Sequence, residues 1–204
     1  MISTFMPSPV GHALAGIAVA WAADLFPGSR GWRTAPRTAA WYARAGSGLT
    51  LICAALAVAP DLDLMIGGFH RSITHSFVSI IAVAIVAGLA AARARLPVAR
   101  IAWMCAGAWA THLLLDWLAA DPSPPSGIQA LWPFDDRRFM SGWDLFPGTE
   151  RRRIFSAPSI RMNLVALGRE LAVLLPLALA LWLVRVKALA GFSSELPSRD
   201  HPAE

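Results

Sequence analysis

Charged residues are scarce in this chain. Only 15% of its 204 residues are charged and 56% are hydrophobic, whereas a soluble domain of this size carries about 25% charged residues. This composition excludes an ordinary soluble domain and favours a membrane protein. Lysine is nearly absent, since 17 of the 18 basic residues are arginine. The arginines fall between apolar segments, where membrane topology and anionic lipid headgroups account for them, so nucleic-acid binding is not expected.

Several chemical motifs are also missing. Cys53 and Cys105 lie inside apolar runs without a CxxC spacing, which disfavours both a disulfide and thiolate metal ligation. The chain has no G-x-S-x-G motif to suggest a serine hydrolase. It has no internal repeat to support the inverted-repeat plan of many transporters. The N-terminal residues lack the basic region of a signal peptide, so we expect the first apolar segment to be retained.

The apolar residues are grouped into five segments, and a helix needs about 20 such residues to cross a bilayer. The segments are residues 10–26, 47–66, 74–92, 98–120 and 163–186. The first is short and contains His12 and Asp24, so it either spans with some tilt or forms a half-buried helix. We predict an all-α polytopic membrane bundle of about five apolar helices, forming one domain over residues 1–190, with a disordered tail over 191–204.

A long loop, residues 121–160, connects the fourth and fifth predicted helices. Loops of this length are usually functional or disordered. This one is rich in aromatic residues, which favours a lid or a belt at the membrane interface over a disordered linker. The aromatic residues are Trp132, Phe134, Phe139, Trp143 and Phe146. The run Arg151 to Arg153 is either an interfacial anchor or a binding site for a substrate phosphate.

The distribution of arginine predicts the orientation. If the loop that carries Arg30, Arg33, Arg37 and Arg44 is cytoplasmic, the N-terminus lies outside and the C-terminus inside. His12 then begins the first segment on the outer side, and the other histidines outside the C-terminal tail approach the same face. We therefore expect a site at the extracytoplasmic face of the membrane.

Histidines and carboxylates recur in short motifs near the ends of the apolar segments. The motifs are PVGHALAG with His12, PDLD with Asp61 and Asp63, HRSITHS with His70 and His75, and HLLLD with His112 and Asp116. Asp144 in the long loop and Glu170 in the last segment are predicted on the same side. Each has a structural alternative when taken alone, such as a helix cap for Asp61 or an ion pair with Arg169 or Arg161 for Glu170. Taken together they predict a metal site, because carboxylates near the bilayer centre cost roughly 2.5–3.5 kcal/mol on insertion scales.

The spacing within two of these motifs suits metal ligation. His112 and Asp116 are four residues apart, so a helix places them on one face. Asp61 and Asp63 follow Pro60, and in an extended stretch both would point the same way. Imidazole and carboxylate ligands without thiolate suit a divalent ion, with Zn favoured and Mn or Fe as alternatives. One or two ions fit the number of candidates. The predicted ligands are His12, Asp61, Asp63, His70, His75, His112, Asp116 and Glu170, and the predicted catalytic residues are Asp63, His75 and Asp144.

The order of these motifs resembles a known family. GHxxxG, PDxD, HRxxTHS and HLLLDW occur in the order seen in the YdjM-like bacterial inner-membrane proteins, which are described as metal-dependent hydrolases. The chain is also similar, more distantly, to the all-helical zinc phospholipase C and P1 nuclease group, which uses three zinc ions on phosphodiesters. That resemblance implies metal ligation by His12, Asp61, His70, His112 and Asp116. The further HxxxE pair of that group is missing here, since Ala166 precedes Glu170 by four residues.

Two functions from different classes follow from these observations. The first is a membrane-bound metal-dependent hydrolase that cleaves a phosphoester of a lipid or lipid-linked substrate, with acyl esters and amides left open. The second is a non-catalytic membrane protein in which the metal serves a scaffold or sensor. A catalytic centre would keep an open coordination position, whereas a structural one would be saturated by protein ligands.

Overall fold

The computed structural model describes residues 5–26, 38–65, 71–122, 124–151 and 154–195, and within these ranges the chain is mostly helical. The α-helices are α1 (Pro9–Ala23), α2 (Trp41–Ala45), α3 (Gly48–Val58), α4 (Phe77–Arg93), α5 (Val98–Leu118) and α6 (Ala157–Glu195). Two 3₁₀ turns flank the connection between α3 and α4, at Ala59–Met65 and Ile73–His75. α1 packs against α3, α5 and α6, while α4 packs against α5.

Three segments are long and apolar enough to cross a membrane, namely Gly48–Met65, Val98–Leu118 and Ala157–Gly191. α1 and α4 are also apolar but have only 15 and 17 residues. The prediction of an all-helical protein with several membrane-spanning helices is therefore confirmed in its coarse form. Five complete spans remain a prediction, because α1 and α4 are shorter than the roughly 20 residues that an untilted span needs.

α6 is longer than the predicted fifth segment. It has 39 residues, a length of about 58 Å at 1.5 Å per residue. The polar residues at its start, such as Arg161 and Asn163, are compatible with a helix although they interrupt the apolar run. The predicted tail boundary is wrong for residues 191–195, because α6 continues to Glu195. A single glycine such as Gly191 costs a helix only about 1 kcal/mol, too little to end it. Residues 196–204 lie outside the described ranges.

Local sequence signals explain where the site-bearing elements begin and end. α1 starts at Pro9, and the Ser8 side chain caps it by accepting a hydrogen bond from the Gly11 amide at 3.1 Å. Pro60 cannot donate a backbone hydrogen bond, and α3 gives way at this point to the 3₁₀ turn. The PDLD motif therefore does not adopt the extended conformation that would point both carboxylates the same way. In a 3₁₀ turn residues two apart face different directions, which separates Asp61 from Asp63.

Small residues allow α1 and α3 to approach closely. A β-carbon added at Gly16 would collide with the backbone carbonyl of Cys53 and with the Ala57 side chain. Ala20, Cys53, Met104 and Ala108 form one buried cluster that joins α1, α3 and α5. Close helix contacts through glycine and alanine are typical of bundles in which lipid offers no hydrophobic driving force.

The segment between α5 and α6 is ordered against the bundle. β1 (Phe5–Met6) pairs antiparallel with β2 (Thr149–Glu150), which ties the N-terminus to the end of the loop. Phe146 is buried in a cluster with residues of α1, α5 and α6. Other loop aromatics, Phe134 and Trp143, are 88% and 74% exposed. The predicted aromatic loop thus has a buried anchor and exposed rings that remain candidates for an interfacial belt.

A cluster of opposite charges lies at the ends of α1 and α5 that are remote from the predicted ligands. Asp24 follows α1 and pairs with Arg100 near the start of α5. Arg185 of α6 donates from Nε to Asp24 Oδ2 at 2.5 Å, and from Nη1 to the Arg44 carbonyl at 2.6 Å. Trp182 donates to the same carbonyl at 3.0 Å. We call Asp24, Arg100 and Arg185 the arginine cluster.

Candidate metal centre

Four predicted ligands converge at one end of the bundle. Asp61 comes from the 3₁₀ turn after α3, His75 from the 3₁₀ turn before α4, and His112 with Asp116 from the last turns of α5. All four are buried, and one ligand atom from each lies within 4.8 Å of the others, so the group could hold a metal ion. We call these residues the ligand cluster. The helical spacing of His112 and Asp116 brings both into it, as the sequence predicts.

The distances within the ligand cluster have the size of a coordination shell. His75 Nε2 lies 3.3 Å from Asp116 Oδ2 and 3.8 Å from Asp61 Oδ1. His112 Nε2 lies 3.5 Å from Asp116 Oδ2 and 3.4 Å from Asp61 Oδ1. Ligands bound tetrahedrally at 2.0–2.2 Å from zinc are about 3.3–3.6 Å apart. The four atoms therefore need little rearrangement to surround one ion.

Hydrogen bonds to the outer nitrogens orient both imidazoles. His112 Nδ1 lies 2.7 Å from the Ala57 carbonyl oxygen, which can only accept, so this nitrogen carries the proton. His75 Nδ1 faces the Asp63 carboxylate at 3.3 Å and the Thr74 hydroxyl at 2.8 Å. In neutral rings the two Nε2 atoms then present lone pairs to each other across 3.1 Å. A cation between them removes this repulsion, and a carboxylate behind a ligating histidine is a common arrangement at metal sites.

Several buried atoms of the site have no hydrogen-bond partner among the described residues. They are both ring nitrogens of His12, Oδ1 of Asp61 and both carboxylate oxygens of Asp116. Buried polar atoms without partners are costly. Burial opposes a charge on His75, but the nearby carboxylates of Asp116, Asp61 and Asp63 raise its pKa to about 10. The same negative surroundings fit a divalent cation, and the nitrogen and oxygen ligands fit Zn, Mn or Fe.

Comparison with known families agrees with this architecture. Residues 6–192 match the family described as YdjM inner membrane protein. The chain belongs to this family. No curated protein and no solved structure matches it significantly. The family description, together with three helices long enough to span, makes the chain an inner membrane protein.

His12 and Glu170 lie beside the ligand cluster of this YdjM family member but outside its four residues. The His12 ring stacks on His112 with 3.9 Å between centroids, and its Nε2 is 3.5 Å from Asp116 Oδ1. Glu170 instead accepts hydrogen bonds from the Ser8 amide at 2.7 Å and from the Ser8 hydroxyl. A β-carbon at Gly11 would be 2.5 Å from Glu170 Oε2, so glycine is required where α1 meets this carboxylate.

The structure separates Asp63 from Asp61. Asp63 lies behind His75, where it accepts a hydrogen bond from Thr74 Oγ1 at 2.5 Å and faces His75 Nδ1. This placement orients His75 and leaves Asp61 as the PDLD carboxylate that faces the ligand cluster. The predicted roles of Asp63 as ligand and catalytic residue find no support in its position, because its carboxylate is on the far side of the His75 ring from Nε2.

One further predicted residue, Asp144, is not part of the cluster that the structure describes. The Asp144 side chain is exposed in the loop, in a left-handed backbone conformation with φ of 49°. An exposed carboxylate in this position supplies no buried ligand, and its predicted catalytic role remains a prediction. His70 lies outside the described residues.

Two arginines lie at this end of the bundle; the sequence predicts an interfacial anchor or a phosphate-binding site for Arg151 and no role for Arg71. Arg151 donates from Nη2 to Asp61 Oδ2 at 2.9 Å, so it touches a member of the ligand cluster directly. Arg71 is 5% exposed and forms an ion pair with Asp121, which also accepts from the Gly127 amide at 2.8 Å. Burial lowers the pKa of Arg71, with Asp116 and Asp61 opposing the shift. The position of Arg151 near the end of the long loop was a sequence feature that could have indicated its contact with the site. No sequence feature indicates the Arg71–Asp121 pair.

Proposed function

We propose that this protein is a membrane-bound, metal-dependent hydrolase that cleaves a phosphoester of a lipid or lipid-linked substrate. The observation that carries the proposal is the pair of buried imidazole Nε2 atoms 3.1 Å apart, between the carboxylates of Asp61 and Asp116. A bound divalent ion, with zinc favoured over manganese, would supply Lewis-acid activation of water and of the phosphoryl group.

We assign the proton transfer to His12. Its ring stacks on His112 at the edge of the ligand cluster, and neither nitrogen has a hydrogen-bond partner among the described residues. A neutral imidazole has one ring nitrogen with a lone pair, which can accept a proton from an adjacent water. In the reaction the water oxygen bonds to phosphorus while the ester bond to the leaving oxygen breaks. His12 takes the proton from water, and the leaving oxygen then receives it.

The position of the ligand cluster supports the proposal of a lipid substrate. Its residues stand at the ends of apolar helices, and the adjoining loop exposes Phe134 and Trp143. Aromatic residues with this exposure are typical of the membrane interface. We place this end of the bundle at the extracytoplasmic face, as the arginine distribution of the sequence favours.

A second candidate function is a metal-binding scaffold or sensor without catalysis. It is favoured by one observation, that four protein groups suffice to saturate a tetrahedral ion. The ligand types argue the other way, because structural zinc sites usually contain cysteine and catalytic ones use histidine and carboxylates. The two cysteines, Cys53 and Cys105, are buried and lie outside the ligand cluster.

The deciding experiment measures turnover and folding on the same samples. Purified protein in nanodiscs is loaded with zinc or manganese and offered phosphomonoester and phosphodiester lipids, beside His12→Gln and His112→Ala. We expect turnover by the wild type, loss of turnover with retained metal in His12→Gln, and loss of both in His112→Ala. Absence of turnover on every ester, combined with unfolding on chelation, would instead establish the scaffold function.

A further inference from the structure

Arg151 occupies an unusual position among the arginines of the described chain. Both of its hydrogen bonds to described residues come from one nitrogen, since Nη2 donates to Asp61 Oδ2 at 2.9 Å and to the Pro7 carbonyl at 3.1 Å. A guanidinium has five N–H donors. Within the described ranges the donors on Nε and Nη1 of Arg151 have no acceptor, and 22% of the side chain is exposed. Its partner Asp61 is only 6% exposed.

The buried arginines of the molecule differ in this respect. Arg185 uses Nε for Asp24 and Nη1 for the Arg44 carbonyl, and its side chain is 2% exposed. Arg71 is paired with Asp121, and its side chain is 7% exposed. These two arginines are committed to protein acceptors. Arg151 alone in this comparison combines contact with a cluster ligand, unused donors and access from outside.

The backbone next to Arg151 is held in place. The side chain of Asn163 in α6 makes two hydrogen bonds to the backbone of Glu150, the residue before Arg151. It accepts from the Glu150 amide at 2.7 Å and donates to the Glu150 carbonyl at 2.9 Å. Glu150 also belongs to β2, which pairs with β1 at the start of the chain. The guanidinium is therefore presented by an anchored backbone, so little conformational entropy is lost when it binds a ligand.

We propose that Arg151 is the phosphoryl-recognition residue of this site and selects substrates that carry an anionic phosphate. The inference rests on the proposed function and names the group that gives it phosphoester specificity. Nη1 carries two N–H donors without an acceptor among the described residues, and a charged guanidinium donates strong hydrogen bonds to phosphate oxygens. A neutral acyl ester or amide offers no anionic oxygen. The position beside Asp61 places the bound phosphate next to the ligand cluster.

The test measures inorganic phosphate binding to the metal-loaded protein in phosphatidylcholine nanodiscs by calorimetry. Arg151→Gln is compared with Arg137→Gln, because Arg137 belongs to the same loop but is 76% exposed and pairs only with Asp135 among the described residues. We expect phosphate affinity to fall roughly tenfold to a hundredfold in Arg151→Gln, as for loss of charged hydrogen bonds, and to stay unchanged in Arg137→Gln. Unchanged affinity in Arg151→Gln would overturn the proposal. Loss of metal in that variant would also overturn it, because Arg151 would then act only by holding Asp61.

A measurement on the wild-type protein covers the case in which Arg151→Gln does not fold. Phenylglyoxal modifies accessible arginines, and mass spectrometry reads the extent at each site. Saturating phosphate should protect Arg151 and leave Arg137 modified to the same extent as before. Equal modification of Arg151 with and without phosphate would contradict the inference.

Two further measurements identify the source of the phosphate and test the proposed function independently of this inference. Displacement of inorganic phosphate by phosphatidic acid in the nanodisc assigns a lipid headgroup, whereas displacement only by a soluble phosphoester assigns a free substrate; both support phosphate recognition. Phosphate binding that depends on Arg151 without hydrolysis of any ester would leave this inference standing and remove the hydrolase. Turnover that is unchanged in Arg151→Gln would support the hydrolase and overturn this inference.

Discussion

The two polar clusters at opposite ends of the bundle compensate the charge of buried carboxylates in different ways. In the arginine cluster, the buried Asp24 carboxylate is neutralised by Arg100 and Arg185 from two other helices. In the ligand cluster, Asp61 and Asp116 face histidine nitrogens, and both oxygens of Asp116 lack a hydrogen-bond partner among the described residues. In the first cluster two arginines neutralise the carboxylate, whereas in the second the carboxylate oxygens and imidazole nitrogens converge within 4.8 Å of one another. The contrast indicates that the first serves stability and that the second is built for a cation.

The largest expected effect is the loss of a cluster ligand. Asp116→Asn keeps the size of the side chain but removes the charge, and His112→Ala removes an imidazole. We expect both to reduce metal affinity by more than the ~10–100-fold cost of losing an outer hydrogen-bond partner. Metal content by inductively coupled plasma mass spectrometry should therefore fall to background, with Asp135→Asn as a carboxylate control outside the ligand cluster. Full metal content in Asp116→Asn would show that the metal binds elsewhere in the protein.

The second largest effect is expected from a substitution that disrupts the arginine cluster. Asp24→Leu leaves the buried Arg185 guanidinium without this carboxylate, and removing one partner of a buried ion pair costs about 3–5 kcal/mol. Unfolding in denaturing detergent should show this loss of stability, while any folded protein keeps its metal. The double variant Asp24→Leu, Arg185→Met should recover much of the stability because the Arg185 charge is removed together with its partner. A double variant as unstable as the single one would mean that the ion pair is not the cause.

Part of the site could be predicted from the sequence, and there are physical reasons why the rest could not. The i, i+4 pair His112 and Asp116 depends only on helical periodicity, and the convergence of Asp61 and His75 depends only on which helix ends share a side. The different orientations of Asp61 and Asp63 arise from a 3₁₀ turn after Pro60, which the pattern does not distinguish from an extended strand.

Long-range pairings were beyond the reach of sequence patterns. Asp24 and Arg185 lie 161 residues apart in the chain. Arg151 reaches Asp61 through a two-residue β pair, too short to give any periodicity. Both contacts depend on tertiary packing.

A smaller effect is expected where a residue orients a ligand without belonging to the ligand cluster. Asp63→Ala removes the carboxylate that faces His75 Nδ1 at 3.3 Å. We expect metal affinity to fall roughly 10–100-fold, as for other outer partners of metal-bound histidines. Competition with a chelator of known affinity measures the change. Complete loss of metal would return Asp63 to the ligand role that the sequence predicts, and an unchanged affinity would remove it from the site.

The smallest effect is expected at Asp144. Its side chain is exposed and its backbone is left-handed, a conformation that asparagine tolerates well. Asp144→Asn should therefore change neither metal affinity nor turnover. A loss of turnover with normal metal content would show that the loop carries Asp144 to the substrate, as the sequence-based catalytic assignment predicts.

The central claim is that Asp61, His75, His112 and Asp116 hold one divalent ion. X-ray absorption at the metal edge of the purified, metal-loaded protein tests it most directly. The account predicts a first shell of nitrogen and oxygen at about 2.0–2.2 Å with the scattering pattern of two imidazoles. A sulfur shell near 2.3 Å, or a spectrum without imidazole scattering, would contradict it.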